Sequence, residues 1–426
     1  MDSYHIRGGN KIRGEYRVRG AKNAVLPILA ASIVTNSQVE LIGCPDIADV
    51  DNMLEILRAL GCKTEKSKDS IVVDTATINC SVIPDRLMRE MRSSVFLMGP
   101  LIARCGEVTL SHPGGCEIGV RPIDIHISAL KTLGVSIEEA DGLLICKGSK
   151  LSGACITLTF PSVGATENAM LTALAADGET IIKNSAREPE ILDLQNFLIA
   201  CGADVTGAGS DTIVISGRHD PFKRFHGTGH TIIPDRIEAG TLMAAAAVTG
   251  GKLFLKGAQP SHMHAIIEKF KEAGCFVWEY TDGIYIEAGR RLAATNLVTS
   301  PYPGFPTDMQ SQFLAMMTTA EGESVIQEAI FENRYKQVPE LCKMGADISV
   351  SGMDAKIKGV KSLQGCLVNA TDLRGGAALV IAGLMADGTT IVNNITHIER
   401  GYDKLDKVLN SLGADIRGIT QPTGTV

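Results

Sequence analysis

LRALGCKTE, residues 57–65, closes an apolar helix on Gly61 and opens a strand, and the same phrase returns five times. It recurs as LKTLGVSIE (130–138), LIACGADVT (198–206), FKEAGCFVW (270–278), LCKMGADIS (341–349) and LNSLGADIR (409–417). The glycines fall at Gly61, Gly134, Gly202, Gly274, Gly345 and Gly413, spaced by 73, 68, 72, 71 and 68 residues. A helix that turns at once into a strand needs a left-handed residue just past its last turn, a conformation that costs glycine little.

A second phrase interleaves with the first: a helix of small apolar residues, a turn, then a β-rich run. It is clear at 168–185, 240–257, 312–329 and 378–395 and looser at 23–43 and 94–111. Helices so rich in Ala and Gly have no polar face and are expected to be buried on all sides. Each unit of about 70 residues, longer than solenoid repeats, therefore reads as strands plus two helices. Six units predict two domains of three, the alternative being a single αβ array. A chain of 426 residues is also too long for one ordinary core.

Bulk properties exclude some functions. A net charge of −7 argues against general nucleic-acid binding, although a local Arg/Lys cluster could still hold a small anion. The start of the chain is charged and shows no apolar signal segment. The longest apolar runs, Val25–Val34 and Ala377–Ala386, are too short to span a bilayer. Eleven cysteines, an odd number without CxxC spacing, predict reduced thiols and a cytoplasmic protein. No metal or cofactor motif is present, and neither is expected.

Four segments carry candidate chemistry. In HPGGCEIGVRPIDIH (112–126), Cys116 sits in a glycine-rich loop with Arg121 and His126 near in sequence; neighbouring cations favour thiolate reactivity. Cys62, Cys201 and Cys275, beside repeat glycines, read as core fillers. In RGAKNAVLP (19–27), Lys22 and Asn23 open a helix, where a phosphate or carboxylate is favoured. The alternative there is a solvated Lys beside an Asn cap. Arg92, Arg334, Arg374 and Arg400 lie at the edges of repeat helices, as anion-binding forks or as surface ion pairs. In PYPGFPTDMQSQF (301–313), Asp308 reads either as the cap of the next helix or as a carboxylate base.

These motifs, with FPSVGATENAM, AREPEI, IIPDRIEAGT, FENRY, ATDLR and HIERGYDKL, resemble in order those of the UDP-N-acetylglucosamine 1-carboxyvinyltransferase family along nearly the whole chain. The resemblance implies an α/β enolpyruvyl transferase fold: two inverse α/β barrel-like domains, each of three βαβαββ repeats. One domain would span 22–231 and the other 1–21 with 232–426, with the active site in the cleft between them.

The resemblance also implies the site. Cys116 would be the general acid toward the phosphoenolpyruvate methylene carbon, able to form a covalent adduct and to react with fosfomycin, on a loop that acts as a lid. Lys22, Arg121 and Arg400 would hold the phosphate and carboxylate of phosphoenolpyruvate, with Asn23 beside them. Asp308 would be the base at the sugar 3-hydroxyl. Arg92, Arg121, Pro122, Ile123, Asp124, Ile125, Ser162, Val163, Gly164, Asp308 and Ile330 would line the UDP-N-acetylglucosamine pocket, with Arg334 and Arg374 behind. The chain departs from the pattern at Ala48 and Phe160, where some members carry lysine, and at Gly376, where serine is common. The expected partners are the two substrates and fosfomycin, with no nucleic acid and no membrane insertion. The nearest alternative enzyme is the shikimate-pathway enolpyruvyl transferase, which lacks the cysteine loop. A catalytically silent UDP-sugar-binding protein is the alternative of a different class.

Overall fold

All six repeat glycines adopt the left-handed backbone that their position demands, with φ from +91° at Gly274 to +101° at Gly413. Each ends a helix and releases the chain into the edge strand of a sheet. The computed structural model describes residues 2–90, 92–111, 123–218, 224–289 and 291–420, and the side chains of residues 90, 92 and 93 fall outside that description.

The repeat unit is plainest at residues 155–217. Strand Cys155–Thr157 leads through helix Val163–Ala173 to strand Gly178–Lys183, which pairs parallel to it. Helix Pro189–Ala200 then leads to the short strand Val205–Thr206 and to Thr212–Gly217, both antiparallel. This is the expected βαβαββ unit. Among the described residues, five sheets have four strands, one joined in parallel at the end, and the sixth has three strands plus a parallel bridge between Val82 and Thr109.

The described residues divide into two units, one holding those within 2–19 and 234–420, the other those within 20–111 and 123–233. Each has its own hydrophobic core, so the single-array alternative does not hold. The N-terminal strands complete sheets made mostly by the C-terminal half. Ser3–Arg7 lies between Thr389–Asn393 and Asp415–Ile419, and Arg13–Arg17 pairs with Lys252–Lys256. Reciprocally, Gly229–Thr231 returns to pair with Gln38–Ile42.

Three helices form the centre of each unit: Lys22–Ala31, Met98–Cys105 and Val163–Ala173 in one, Arg236–Val248, Gln310–Met317 and Leu373–Met385 in the other. Nearly every residue in them is buried, as their small side chains foretell. The sheets lie around them, and alternation decides which face points inward. In Lys252–Lys256, Leu253 and Leu255 are buried while Lys252 is exposed. At Gly376, inside the central helix Leu373–Met385, an added Cβ would meet Ile398 Cγ1 at 2.7 Å, so a serine there would force repacking.

Two of the repeat glycines separate strain from crowding. A Cβ on Gly274 meets nothing within 4 Å, whereas one on Gly134 meets the Lys150 carbonyl oxygen at 2.8 Å. Gly274→Ala is expected to cost about 1–2 kcal/mol through its backbone conformation alone, and Gly134→Ala distinctly more. Denaturant unfolding of both variants checks this; equal losses would show that the carbonyl contact does not matter.

Candidate active site

The polar groups of a fully buried helix can meet water or ligand only at its ends, and Lys22, Asp308, Arg374, Ser162, Val163 and Gly164 lie at such ends. In the unit containing the C-terminal half, Asp308 lies in a 3₁₀ turn, Thr307–Met309, directly before the central helix Gln310–Met317. It does not cap that helix, which has no side-chain cap, so the capping alternative is corrected. Its two carboxylate oxygens are instead held separately, by Arg334 Nη2 at 2.5 Å and Arg374 Nη2 at 2.9 Å. Both guanidinium side chains are 4% exposed and Asp308 is 26% exposed, so the carboxylate is the accessible member of the cluster. Charge-assisted bonds to a carboxylate favour its ionised, acceptor-only form, which is the form a base needs.

Sequence reading missed the groups that fix this cluster. Glu328, fully buried, accepts hydrogen bonds from Thr307 Oγ1 (2.9 Å), Thr299 Oγ1 (2.9 Å), Ile330 N–H (2.9 Å) and Phe331 N–H (3.1 Å). It therefore ties the backbone at Ile330 to the residue preceding Asp308. The Arg374 guanidinium lies 5.5 Å from the centre of the Tyr402 ring. The Tyr402 hydroxyl meets Thr241 Oγ1 at 2.9 Å and receives a bond from Gln312 Nε2 at 3.1 Å. One buried tyrosine, two residues after Arg400, so joins the IIPDRIEAGT, TDMQSQ, TDLR and ERGYD segments. Asp403, the next residue, is paired with Arg19 at 2.6 Å.

In the other unit, Lys22 is the first residue of a central helix and is buried, with Nζ 2.6 Å from Asp49. This overturns the solvated-lysine reading, and the N-cap is Ala21, not Asn23, which lies within the helix. Ala48 begins the helix that carries Asp49, so the Lys22 partner sits one residue beyond the position where some members have lysine. Ile123, Asp124 and Ile125 form the start of helix Asp124–Thr132, and Ser162, Val163 and Gly164 the start of Val163–Ala173. Asn168 Nδ2 and His126 Nδ1, 2.9 Å apart, join these two helices, and Asn168 also accepts the Gly99 N–H at 2.7 Å. Ser162 caps its helix by accepting the Ala165 N–H at 3.4 Å. Phe160 is part-exposed in the turn before it.

Cys116, Arg121 and Pro122 lie outside the described residues, as does the side chain of Arg92, whose backbone begins the 3₁₀ helix Arg92–Leu97. Arg400 follows the short helix Thr396–Glu399. Cys62, Cys201 and Cys275 are buried, and burial pushes each thiol up to about 12, which suits inert core residues. Among the described residues no group of His, Cys, Asp and Glu is arranged to hold a metal ion, and no helix is long and apolar enough to cross a membrane.

Residues 6–409 match the family described as EPSP synthase (3-phosphoshikimate 1-carboxyvinyltransferase). The chain is 53% identical over 417 residues to UDP-N-acetylglucosamine 1-carboxyvinyltransferase 2 of Caldanaerobacter subterraneus, covering 98% of this chain and 99% of that protein. It is 46% identical over 428 residues to UDP-N-acetylglucosamine 1-carboxyvinyltransferase of Zymomonas mobilis, covering 98% and 100%. The crystal structure of the enolpyruvyl transferase NikO from Streptomyces tendae superposes with a TM-score of 0.89 at 26% identity, over 99% of both chains. EPSP synthase from Acinetobacter baumannii shares the fold, with a TM-score of 0.75 at 20% identity over 99% of this chain and 100% of that one.

Burial sets the electrostatics of both units. For Arg374, burial opposes the charge, but Asp308 and the Tyr402 oxygen outweigh it and move the guanidinium up. Fully enclosed Glu167 is pushed well above the carboxylate range by burial and by Glu190 and Glu188. Glu238, also enclosed, accepts from Tyr16 Oη and the Arg19 N–H, each at 2.9 Å. Burial first and Asp235 second raise it from an ordinary 4.5 to about 7, against the lowering effect of the Arg19 N–H, Tyr16 and the Arg19 guanidinium. A carboxyl raised on folding favours the folded state fully below its unfolded value, and that contribution is lost as pH rises through about 7. Glu238→Gln cannot ionise, so its melting temperature should fall less than that of the parent between pH 5 and pH 8.5. Parallel melting curves for the two proteins would reveal a buried ionised Glu238 instead.

Proposed function

We infer the activity from one premise: the chain belongs to the UDP-N-acetylglucosamine 1-carboxyvinyltransferases, within the enolpyruvyl transferase family. It transfers the enolpyruvyl group of phosphoenolpyruvate to the 3-hydroxyl of UDP-N-acetylglucosamine and releases phosphate, a step of peptidoglycan precursor synthesis. The observation that carries this reading is the 53% identity over 98% of the chain with a relative of that name. The match to an EPSP synthase family fits as well, because both reactions move the same three-carbon unit. The acceptor follows from the closer relatives. We place the reaction in the cytoplasm, and fosfomycin as its inhibitor rests on the same family membership.

The chemistry assigns roles to the residues. Protonation of phosphoenolpyruvate at C3 makes C2 electrophilic, and the sugar hydroxyl attacks C2 as a base removes its proton. The tetrahedral product then loses a proton from C3 and expels phosphate, restoring the carbon–carbon double bond. Asp308 is the proposed base: it is accessible and fixed, on a turn tied to Glu328, by two arginines that favour the ionised form a base needs. Cys116 is the proposed acid, and a thiol with an ordinary value near 8.5 holds a proton at neutral pH. Lys22, Arg121 and Arg400, with Asn23, are the proposed phosphoenolpyruvate ligands, since fixed cations favour phosphate departure. Arg92, Pro122, Ile123, Asp124, Ile125, Ser162, Val163, Gly164 and Ile330 are the proposed UDP-sugar contacts. The domains proposed to carry these roles are 22–231, and 1–21 with 232–426.

Phosphate release should require both phosphoenolpyruvate and UDP-N-acetylglucosamine and should stop on fosfomycin treatment. Release with 3-phosphoshikimate as acceptor would favour the other enzyme, and UDP-sugar binding without release would favour the silent protein. Fosfomycin should add its mass to the parent but not to Cys116→Ser, as intact-mass analysis reads directly. Asp308→Asn should lower kcat by 100-fold or more, on the scale of losing a general base, while UDP-N-acetylglucosamine still binds by calorimetry. Near-parental turnover would remove Asp308 from the role of base.

A further inference from the structure

The six repeats build six versions of one sheet, so each serves as a control for the others. The strand after every repeat glycine forms a sheet edge, and its alternate residues face outward. In five repeats those outward positions are mainly small, polar or charged: Lys63 and Glu65; Ser136, Glu138 and Ala140; Thr206; Asp347, Ser349 and Ser351; Asp415, Arg417 and Ile419. In the fourth they are Phe276, Trp278 and Tyr280, exposed by 62%, 46% and 52%. Nothing in the shared architecture calls for aromatics there, and Trp278 is the only tryptophan of the chain.

The pairing register extends this face across four strands. Trp278 stands opposite Tyr285, which stands opposite Phe254, and that opposite Glu15. Phe276 heads a row through Glu287 and Lys252 to Arg13, and Tyr280 a row through Gly283 and Lys256 to Arg17. Rings touch along one side: Phe276 with Trp278 at 5.8 Å, Trp278 with Tyr285 at 5.4 Å, and Phe254 with Tyr280 at 5.9 Å. The other side carries Arg13, Arg17, Lys252 and Lys256, with Glu15 3.8 Å from Lys256 and with Glu287, opposite Lys252, accepting the Tyr285 hydroxyl at 2.8 Å. The half on Phe276–Tyr280 and Gly283–Glu287 is therefore mainly aromatic and the half on Lys252–Lys256 and Arg13–Arg17 mainly cationic, with Phe254 between the two lysines.

We propose that this face, built on strands Arg13–Arg17, Lys252–Lys256, Phe276–Tyr280 and Gly283–Glu287, is a docking surface for a second copy of the same chain. A twofold axis running along the strands between two such faces reverses the strand order. It lays the Arg/Lys half of each copy on the aromatic half of the other, as an isologous interface requires. Cations above ring faces are attracted by the ring quadrupole, and the exposed rings leave water. Four strands about 4.8 Å apart and five residues long give a footprint of roughly 300 Å². That is well below the roughly 800 Å² per partner of a standard stable interface, so the dimer is weak and concentration-dependent.

Sedimentation velocity from about 1 to 300 μM, with Trp278 emission read on the same samples, tests this. The expected result is a shift from monomer to dimer over that range, with emission moving to shorter wavelength as the ring leaves water. Arg17→Glu, which reverses one cation, and Tyr280→Thr, which removes one ring, should each hold the protein monomeric with unshifted emission and unchanged circular dichroism and turnover. A parent that stays monomeric throughout, with constant emission, would overturn the proposal. So would a dimer that persists in both variants, because it would use another face.

Discussion

A helix enclosed on every side has nowhere to place polar chemistry except its ends, and this constraint organises the protein. Ala-rich and Gly-rich helices fill the centre of both units, and their N-termini collect the candidate groups. Lys22 opens one, and Ser162, Val163 and Gly164 open another. The turn bearing Asp308 precedes a third, and Arg374 lies in the first turn of a fourth. The helix dipole favours anions at such ends, and in the last of them the Asp372 carboxylate already accepts the N–H groups of Arg374 and Gly375. Phosphate, carboxylate and diphosphate are the charged parts of the two substrates, so an arrangement imposed by packing also suits the reaction.

Enclosure then raises the cost of an unpartnered charge, and the network around Tyr402 answers it. Arg374 is buried beside the ring and paired with Asp308, while the hydroxyl is tied to Thr241 and Gln312 on two other central helices. Removing one partner from such a set leaves another buried and uncompensated, which costs more than the lost contact itself. A rigidly held carboxylate follows from that penalty. Asp308 does not have to be ordered by substrate, because Arg334, Arg374 and the Glu328-bound turn already hold it.

The parts of this design that were legible in the sequence are those with a local cause. A left-handed residue at the end of a helix demands glycine, so Gly61 to Gly413 announced six repeats and with them the βαβαββ unit. The candidate site residues were named through motif resemblance, and the alternatives weighed beside Asp308 and Lys22 failed where long-range pairing decides. Asp308 looked like a helix cap because a carboxylate before a helix commonly is one; its partners lie 26 and 66 residues away. Lys22 looked solvated because its burial depends on Asp49 in the following helix. Glu328 and Tyr402 gave no signal at all, since a glutamate at a strand end and a tyrosine after a glycine are ordinary until the fold surrounds them.

The same logic extends to where the chain leaves one unit for the other. Arg19 is the last residue before that passage, and its backbone and guanidinium are both engaged. Its N–H donates to Glu238 at 2.9 Å and its carbonyl accepts the Asp235 N–H at 2.8 Å. Its guanidinium meets Tyr16 Oη at 3.3 Å and Asp403 at 2.6 Å. Asp235 caps the central helix Arg236–Val248, and Asp403 follows Tyr402. The departure point is thus bonded to a helix N-terminus and to the segment carrying Arg400, within one continuous network. The backbone at Arg19 is therefore held by the Glu238 carboxyl and the Asp235 N–H, while its long side chain alone reaches Asp403 beside Tyr402.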